Sequence, residues 1–308
     1  MNQPVLRTSL EEAIASLEGI RVSQNERLSL HTSMGVGGPA RWFIVVDDRA
    51  SLVPLINLLN SRSIRWMMLG GGSNTLFSDE GFNGAVLHPG QGFRSIEMVP
   101  GNPQCVRAGA AANVGAIMQF AKRRGLEGLE FCAGIPGTLG GALAGNAGAG
   151  GHDICSATES VEVLNGDGTS RERKRGEFQF RYRWCELRDE VILGATLALT
   201  PDSREAIEER IQSHLAKRLE QPVGDRSSGC MFKNPPGEYA GRLIDRAGLK
   251  GLTVGGISVS HAHANFMIND GSGTAAQIRE LMELVRQRVL QSTGVSLEAE
   301  VRFIHPPS

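Results

Sequence analysis

A glycine triplet directly follows an apolar segment of the chain, in the stretch LGGGSN at residues 69–74. The preceding residues, 64–69, predict a short buried strand, so the glycines begin where that strand ends. Consecutive glycines cost conformational entropy and are found where the backbone needs a positive φ or a very close approach. This stretch alone leaves two interpretations open: a tight turn, or a loop whose bare N–H groups bind a phosphate or pyrophosphate.

The composition indicates loops that approach a ligand, and it argues against several classes of protein. Glycine contributes 39 of the 308 residues, against a usual share of ~7%. The formal net charge of −1 argues against nucleic-acid binding. The five cysteines form no CxxC pair and no zinc spacing, which is typical of reduced thiols in the cytosol. No apolar run predicts a signal peptide or a membrane span, so we expect a soluble cytoplasmic protein with no membrane partner.

Hydrophobic periodicity predicts helices that alternate with short strands. The predicted strands cover residues 41–46, 64–69, 106–112, 158–164, 191–199 and 297–304. The predicted helices cover residues 6–17, 51–60, 114–124 and 207–219, and a last one runs from a capping box at Thr274 and Gln277 to a stop at Gly294. Together these elements predict an α+β architecture in two or three domains, with the C-terminal strand returning to the first domain.

The glycine-rich segments do not fit a Rossmann fold. GVGGPA, at residues 35–40, has the nominal spacing, but a proline and a predicted strand follow it where a helix is required. A longer glycine-rich segment, residues 125–151, contains the helix-breaking sequence Gly-Ile-Pro-Gly. Two separate segments of bare backbone indicate a long phosphorylated ligand bound along its length. A glycine-rich contact between helices is the alternative.

Eight motifs follow one another along the chain: LHTSMGVGGPA (30–40), LGGGSN (69–74), GLEGLEFCAGIPGTLGGALAGNAGA (125–149), FRYR (180–183), SSGCMFKNP (227–235), AGRLIDRAGLKG (240–251), VSHAHANFMIN (259–269) and LEAEVRFI (297–304). Over residues 28–304 the chain resembles the UDP-N-acetylenolpyruvoylglucosamine reductases, flavoenzymes of peptidoglycan precursor synthesis. Its length resembles that of the shorter of the two family types, which lacks an inserted subdomain.

The resemblance implies an α+β fold in which a smaller α+β substrate-binding domain follows a two-lobed FAD-binding domain of the vanillyl-alcohol-oxidase/PCMH type. Residues 1–90 and 91–202 are expected to form the two lobes of the FAD-binding domain. Residues 203–297 are expected to form the substrate-binding domain. The C-terminal strand, within residues 298–308, is expected to join the first lobe.

Tightly bound FAD is the cofactor that the resemblance implies, with NADPH as the co-substrate. The backbone amides of the LGGGSN loop are then expected to hold the FAD pyrophosphate, in agreement with the second interpretation of that loop. The residues expected to bind FAD are Gly70, Gly71, Gly72, Ser73, Asn74, Gly134, Ile135, Gly137, Thr138, Asn146, Ala147 and Gly148.

The implied reaction reduces an enolpyruvyl ether to a lactyl ether: NADPH gives a hydride to FAD, and the hydride then passes to C3 of the substrate. Arg183 matches the family's catalytic arginine, Glu300 its carboxylate, and Cys230 its proton donor to C2, where many members have serine. Without the resemblance, Glu300 fits the solvated face of an edge strand and Cys230 a small packed thiol. We expect the pKa of Glu300 to be raised by the substrate carboxylate, and Cys230 to be protonated at neutral pH unless a nearby cation, Arg183 or Lys233, lowers its pKa.

The substrate-binding residues that the resemblance implies are Lys233, Asn234, Arg242, His263 and Asn265. Lys233 and Arg242 are expected near the UDP phosphates. No recognisable ligand spacing surrounds the histidines, so we expect no metal. The alternative functions are another FAD-dependent oxidase or dehydrogenase of this fold, or a non-catalytic UDP-sugar-binding protein. We expect a monomer whose partners are NADPH and UDP-N-acetylglucosamine enolpyruvate, with no nucleic acid bound.

Overall fold

The computed structural model describes residues 9–219, 221–222 and 224–305. Its α-helices are interspersed with strands along the chain, in agreement with the predicted α+β class. They are α1 (Leu10–Ala15), α2 (Leu52–Ser61), α3 (Val114–Arg123), α4 (Leu139–Gly145), α5 (Arg204–Arg218), α6 (Ala240–Arg246) and α7 (Ala275–Thr293).

Most of the strands are short, and they form several separate sheets. In chain order they are β1 (Ile20–Arg27), β2 (Pro39–Val46), β3 (Trp66–Met68), β4 (Thr75–Phe77), β5 (Phe82–Pro89), β6 (Ile96–Val99), β7 (Asn102–Gly109), β8 (Leu126–Glu127), β9 (Gly148–Ala149), β10 (His152–Asp153), β11 (Thr158–Leu164), β12 (Ser170–Lys174), β13 (Phe180–Arg181), β14 (Trp184–Cys185), β15 (Val191–Ala198), β16 (Thr200–Pro201), β17 (Thr253–Val254), β18 (Ile257–Val259), β19 (Met267–Asn269) and β20 (Arg302–Ile304).

Some predicted elements differ from the observed ones at their ends. The first helix begins at Leu10 after a capping box from Ser9, and residues 6–8 of the prediction lie outside the described residues. The predicted strand at 297–304 is regular only from Arg302 to Ile304. The strand β1 was not predicted, because its residues 23–27, SQNER, are polar and hide the alternation that a half-buried strand shows.

The first sheet has the strand order β1-β2-β5-β3 and places the glycine triplet at its edge. β2, β5 and β3 run parallel to one another, and α2 packs against the sheet through Leu55 and Leu59. The loop after β3 therefore leaves from the carboxyl end of a parallel strand, where ligands of α/β sheets commonly bind. The C-terminal strand β20 pairs in parallel with β4, the strand that follows the loop.

The second sheet is antiparallel, with the order β12-β11-β15-β7-β6. One face is covered by α3, α4 and α5, which share a core with strand residues such as Val106 and Val161. Ile207 and Ile211 of α5 are buried in this core. The predicted domain boundary at residue 203 stays a prediction, but α5 packs with the elements that precede that boundary.

The third group of elements consists of the sheet β17-β18-β19 with α6 and α7. The predicted start of α7 is confirmed, because Thr274 caps the helix and forms a capping box with Gln277. Asp79, in the loop after β4, accepts hydrogen bonds from the N–H groups of Ala275 and Ala276 at 2.8 and 2.9 Å. These bonds fix the N-terminus of α7 against the sheet that carries the glycine loop, since a carboxylate is favourable at that helix end.

Candidate active site

The LGGGSN loop connects β3 to β4, and its conformation requires glycine at position 72. Gly72 has a φ of +63°, and an ideal Cβ on this residue would lie 1.9 Å from the carbonyl oxygen of His31. The carbonyl of Gly72 accepts a hydrogen bond from the N–H of Ser33 at 3.1 Å. The fold itself therefore excludes a side chain here, as the tight-turn interpretation predicts.

The two glycine-rich segments contact each other. An ideal Cβ on Gly71 would lie 2.8 Å from Cα of Gly137, and one on Gly70 would lie 2.6 Å from Oγ1 of Thr138. Contacts this close are possible only for bare backbone. The segments, far apart in sequence, thus form one continuous surface.

This surface carries polar groups without a protein partner. Within the described part of the chain, no acceptor bonds the backbone N–H groups of residues 70–74, nor those of Gly137 and Thr138. The hydroxyl oxygen of Thr138 is buried and also has no partner among the described residues. Because buried polar groups are normally hydrogen-bonded, the unpartnered hydroxyl of Thr138 fits an anionic ligand such as a pyrophosphate, for which the neighbouring N–H groups supply further donors.

The last three predicted FAD-binding residues are engaged with their own neighbours. The side chain of Asn146 is buried, accepting from the N–H of Cys155 at 3.2 Å and donating to the carbonyl of Arg181 at 3.0 Å. The N–H of Ala147 donates to the carbonyl of Ala142 in α4 at 2.8 Å, and Gly148 belongs to the β9–β10 hairpin. Their contact with the cofactor therefore stays a prediction.

Arg183 and Glu300 form an ion pair beside the glycine loop. Nε of Arg183 lies 2.6 Å from Oε1 of Glu300, although its N–H is not aligned for a hydrogen bond. Nη1 of Arg183 donates to the carbonyl of Gly148 at 2.9 Å. Nδ2 of Asn74, in the LGGGSN loop, donates to the backbone carbonyl of Glu300 at 3.3 Å. The predicted catalytic pair thus directly adjoins the predicted cofactor loop.

Isolated backbone bridges bring Cys230 to the same place. Cys230 pairs with Phe266, and Phe232 pairs with Ala299, the neighbour of Glu300 in sequence. The segment around Cys230 therefore lies between the segments that contain Phe266 and Ala299, and it pairs with each of them through an isolated bridge. All three predicted catalytic residues lie close together, although their roles stay predictions.

Burial dominates the protonation of these groups. Burial and, to a smaller extent, the neighbouring Glu300 carboxylate raise the pKa of the Cys230 thiol to about 12. Arg183, a hydrogen bond with Asn265, and Arg218 oppose this rise without reversing it. Burial also raises the pKa of Glu300, against the attraction of Arg183. Burial thus already raises the pKa of Glu300 in the protein without substrate, and the further rise expected from the substrate carboxylate stays a prediction.

Lys233 and Arg242, predicted to meet the UDP phosphates, are paired with surface carboxylates. Nζ of Lys233 lies 2.5 Å from Oε1 of Glu298. Nη1 of Arg242 lies 3.2 Å from Oε1 of Glu238. Either cation would have to exchange its carboxylate for a phosphate, and both roles stay predictions.

Asn234, His263 and Asn265 lie near Cys230 in sequence or in space, and two of them support the backbone. Oδ1 of Asn234 accepts from the N–H of Ala240 at the start of α6, at 3.0 Å. The buried amide of Asn265 exchanges hydrogen bonds of 3.0 and 2.8 Å with the backbone of Phe232. Burial lowers the pKa of His263, so its ring is neutral at pH 7.

Sequence reasoning missed Arg218, in the last turn of α5. An ideal Cβ on Gly134, whose φ is +72°, would lie 2.5 Å from Cδ of Arg218. Burial lowers the pKa of Arg218, and no carboxylate of the described residues is among the groups that act on it. Arg183 and Lys233 were expected to lower the pKa of Cys230. Arg183 does lower it, and the second cation that lowers it is Arg218. Two guanidinium groups and one carboxylate therefore act electrostatically on the thiol, and the excess of cationic groups favours an anionic ligand.

No cluster of three or more His, Cys, Asp or Glu side chains in the described ranges is arranged to hold a metal ion. The cysteines are free thiols: Cys105, Cys132, Cys155, Cys185 and Cys230. None of the helices in the described ranges has the length and apolar character needed to cross a membrane.

Comparison with known proteins identifies two matching family models. The model of an FAD binding domain matches residues 40–172. The model of the UDP-N-acetylenolpyruvoylglucosamine reductase C-terminal domain matches residues 221–304.

Individual relatives match over most of the chain. A UDP-N-acetylenolpyruvoylglucosamine reductase of Heliobacterium modesticaldum is 40% identical over 285 residues, covering 91% of this chain and 90% of the relative. The enzyme of the same name from Pelobacter propionicus is 43% identical over 282 residues, covering 91% and 94%. A crystal structure of UDP-N-acetylenolpyruvylglucosamine reductase from Thermus caldophilus superposes with a TM-score of 0.80 at 35% identity, covering 92% of this chain and 99% of that one.

These matches confirm the predicted α+β fold class with an FAD-binding domain of the vanillyl-alcohol-oxidase/PCMH type. The chain therefore belongs to the UDP-N-acetylenolpyruvoylglucosamine reductase family and is an FAD-containing oxidoreductase.

Proposed function

We propose that the protein uses NADPH to reduce UDP-N-acetylglucosamine enolpyruvate to UDP-N-acetylmuramate in peptidoglycan precursor synthesis. The convergence of Arg183, Cys230 and Glu300 beside the glycine loop carries this proposal. The reaction adds a hydride to C3 and a proton to C2 of the enolpyruvyl ether. Its site needs a group that binds the carboxylate and a proton donor, shielded from water, and this cluster offers both.

The joined glycine segments would hold the pyrophosphate of FAD. The unpaired N–H groups of residues 70–74 and the buried hydroxyl of Thr138 are the donors that support this assignment. Bound FAD supplies reversible hydride transfer. The protein contributes a bare backbone that an anion can approach closely.

Replacing Gly71 with alanine is expected to lower the FAD content of the purified protein by about tenfold or more, a loss of about 1.4 kcal/mol in binding. The added Cβ would press on Gly137, 2.8 Å away, and separate the two segments. Absorbance of released flavin, divided by protein concentration, measures the effect. Ser73→Ala is the matched control and should retain FAD, whereas equal FAD content in the two variants contradicts the assignment. Gly72→Ala is unsuitable, because its clash with the carbonyl of His31 would act on the fold.

Arg183 and Arg218 would bind the carboxylate of the substrate. A planar guanidinium can hold a carboxylate through two parallel hydrogen bonds. As the hydride arrives at C3, negative charge grows at C2 and on this carboxylate, so a fixed cation stabilises the transition state more than the ground state. Arg183 is already oriented by Gly148 and Glu300.

Cys230 would donate the proton to C2. Its pKa of about 12 keeps the thiol protonated at neutral pH. The carbanion that develops beside a carboxylate is a far stronger base than a thiolate, so the proton moves from sulfur to carbon. The remaining thiolate is itself basic enough to regain a proton from water.

Glu300 would act in its protonated form, as a hydrogen-bond donor, because a substrate carboxylate beside it would raise its already elevated pKa. Glu300→Gln keeps the shape and a donor, so it is expected to retain activity within about tenfold of wild type, with an unchanged pH–rate profile. Stopped-flow measurement between pH 6 and 9 tests this. A dead Gln variant together with a fully active Glu300→Asp variant would contradict the protonated role.

An anaerobic titration tests the proposed function as a whole. NADPH should bleach the flavin spectrum, and UDP-N-acetylglucosamine enolpyruvate should restore it with formation of the lactyl ether. Because both substrates would use one face of the flavin in turn, steady-state kinetics should be ping-pong. A spectrum that the enolpyruvyl compound does not restore contradicts the proposed substrate. Intersecting double-reciprocal lines contradict the alternating use of one site.

We also propose that the enzyme works in the cytoplasm as a monomer. Its five free thiols suit a reducing compartment, and its site is built from residues of one chain. Sedimentation at assay concentration should give the mass of one chain. A mass of two chains would contradict the monomer.

A further inference from the structure

The backbone of Arg183 has an unfavourable conformation. Arg183 has a φ of +55°, in the left-handed region that glycine and asparagine tolerate best. It lies with Tyr182 in the two-residue turn between β13 and β14, where Arg181 pairs with Trp184. Such conformations persist at functional sites when the surroundings hold them in place. The turn therefore needs contacts that keep it in this form.

The side chain of Asn146 supplies one of these contacts. It is 1% exposed, and its Nδ2 donates to the carbonyl of Arg181 at 3.0 Å. Its Oδ1 accepts from the N–H of Cys155 at 3.2 Å, so both ends of the amide are used. Asn146 itself ends α4 with a φ of +45°, which fixes the direction of its side chain.

One further hydrogen bond and one ion pair depend on the position of this turn. The guanidinium of Arg183 reaches the carbonyl of Gly148 at 2.9 Å and Glu300 at 2.6 Å. Gly148 follows Asn146 closely in the chain, so the helix end that holds the β13 carbonyl also presents the acceptor for Arg183. A shift of Arg181 would move Arg183 relative to both partners.

We propose that Asn146 is a positioning residue for the reduction of the enolpyruvyl ether. Its amide fixes the strained turn through the carbonyl of Arg181. The turn thereby places the guanidinium of Arg183 next to Glu300 and the substrate carboxylate. This role rests on the proposed function and differs from the cofactor contact that the sequence predicts for Asn146. The two roles affect different half-reactions, because flavin reduction by NADPH does not involve the enolpyruvyl carboxylate.

Two substitutions of Asn146 distinguish the contributions of its two side-chain hydrogen bonds. Asn146→Gly deletes both hydrogen bonds but suits the left-handed backbone, so it adds no strain. Asn146→Asp keeps the acceptor for Cys155 and replaces the donor to Arg181 with a repelling oxygen. A misplacement of about 1 Å can cost about 100-fold in rate, so both variants are expected to slow substrate-dependent flavin reoxidation by about that factor.

The holoenzyme of each variant is measured by anaerobic stopped flow, and flavin content and flavin reduction by NADPH should stay within about threefold of wild type. Asn269→Ala is the matched control, since Asn269 is also buried and bonds the backbone at Met34 and Gly271. The control should be destabilised yet reoxidise normally. In a second test, Asn146→Asp added to Arg183→Ala should slow reoxidation no further than Arg183→Ala does alone.

Each outcome decides the proposal. Loss of flavin in Asn146→Asp would assign the residue to the cofactor, and wild-type reoxidation in that variant would show that the bond to Arg181 does not matter. Crystal structures of the variants without substrate should show the guanidinium displaced from Gly148; an unmoved guanidinium overturns the proposal whatever the activity. If wild-type protein fails to use the enolpyruvyl compound, the proposed function fails, while this structural test still applies.

Discussion

Replacing Cys230 with alanine is expected to slow reduction of the enolpyruvyl ether by about 10²–10⁴-fold, the usual contribution of a general acid. The alanine variant has no proton to give to C2, and the buried surroundings limit access of water to the carbanion. Flavin reduction by NADPH needs no such proton and should remain nearly unchanged. Anaerobic stopped flow measures the two half-reactions separately. A reoxidation rate within about threefold of wild type would remove Cys230 from the mechanism.

Cys230→Ser is the matched control, because a hydroxyl can occupy the place of the thiol and donate a proton. It should keep substantial activity. The pKa of about 12 also predicts that titration of Cys230 causes no loss of activity between pH 7 and 10. A thiol with a raised pKa is fully protonated below that pKa and loses its proton only as the pH passes through it. An alkaline loss of activity near pH 8.5 that Cys230→Ser abolishes would contradict the raised pKa.

Replacing Arg183 with alanine is expected to lower the rate of substrate-dependent reoxidation by about 10²–10³-fold, the typical cost of removing one group that stabilises transition-state charge. The substrate carboxylate then loses its oriented partner, and Glu300 loses the cation that opposes the rise of its pKa. FAD content and flavin reduction by NADPH should change little. Stopped flow and the visible spectrum of the purified variant provide these measurements.

Arg181→Ala is the matched control for Arg183→Ala, because both arginines belong to the β13–β14 hairpin. The guanidinium carbon of Arg181 lies 4.4 Å from the centroid of the Trp184 ring, so this side chain is engaged with the ring. The control should reoxidise at the wild-type rate. Equal losses in the two variants would mean that Arg183 supports the hairpin and does not act on the substrate.

Local sequence patterns predicted several elements of this protein, although β1 and other short strands were missed. The strand at residues 158–164 has the predicted bounds, and the capping box at Thr274 starts α7 where expected. Both depend on residues within about four positions of each other, whose interactions a sequence shows directly. The motifs likewise indicated the family, the FAD-binding domain and the residues Arg183, Cys230 and Glu300.

The choice between two neighbouring carboxylates shows where local patterns stop. Glu298 and Glu300 occupy equivalent places in the alternation of the C-terminal segment, yet their side chains are 74% and 13% exposed. The difference follows from the bridge between Ala299 and Phe232 and from the ion pair with Arg183. Only the motif, and no periodicity, could single out Glu300.

Tertiary structure alone decided three further features of the site. Gly71 packs against Gly137, and Arg218 lowers the pKa of Cys230. The amide of Asn146 donates a hydrogen bond to the turn that contains Arg183. The sequence by itself determined the family, the α+β class and the presence of bare glycine loops, because these follow from motifs and patterns of residues close together in the chain. The packing of the whole chain decides which groups distant in sequence come into contact and which of them are buried. Burial in turn raises the pKa values of Cys230 and Glu300.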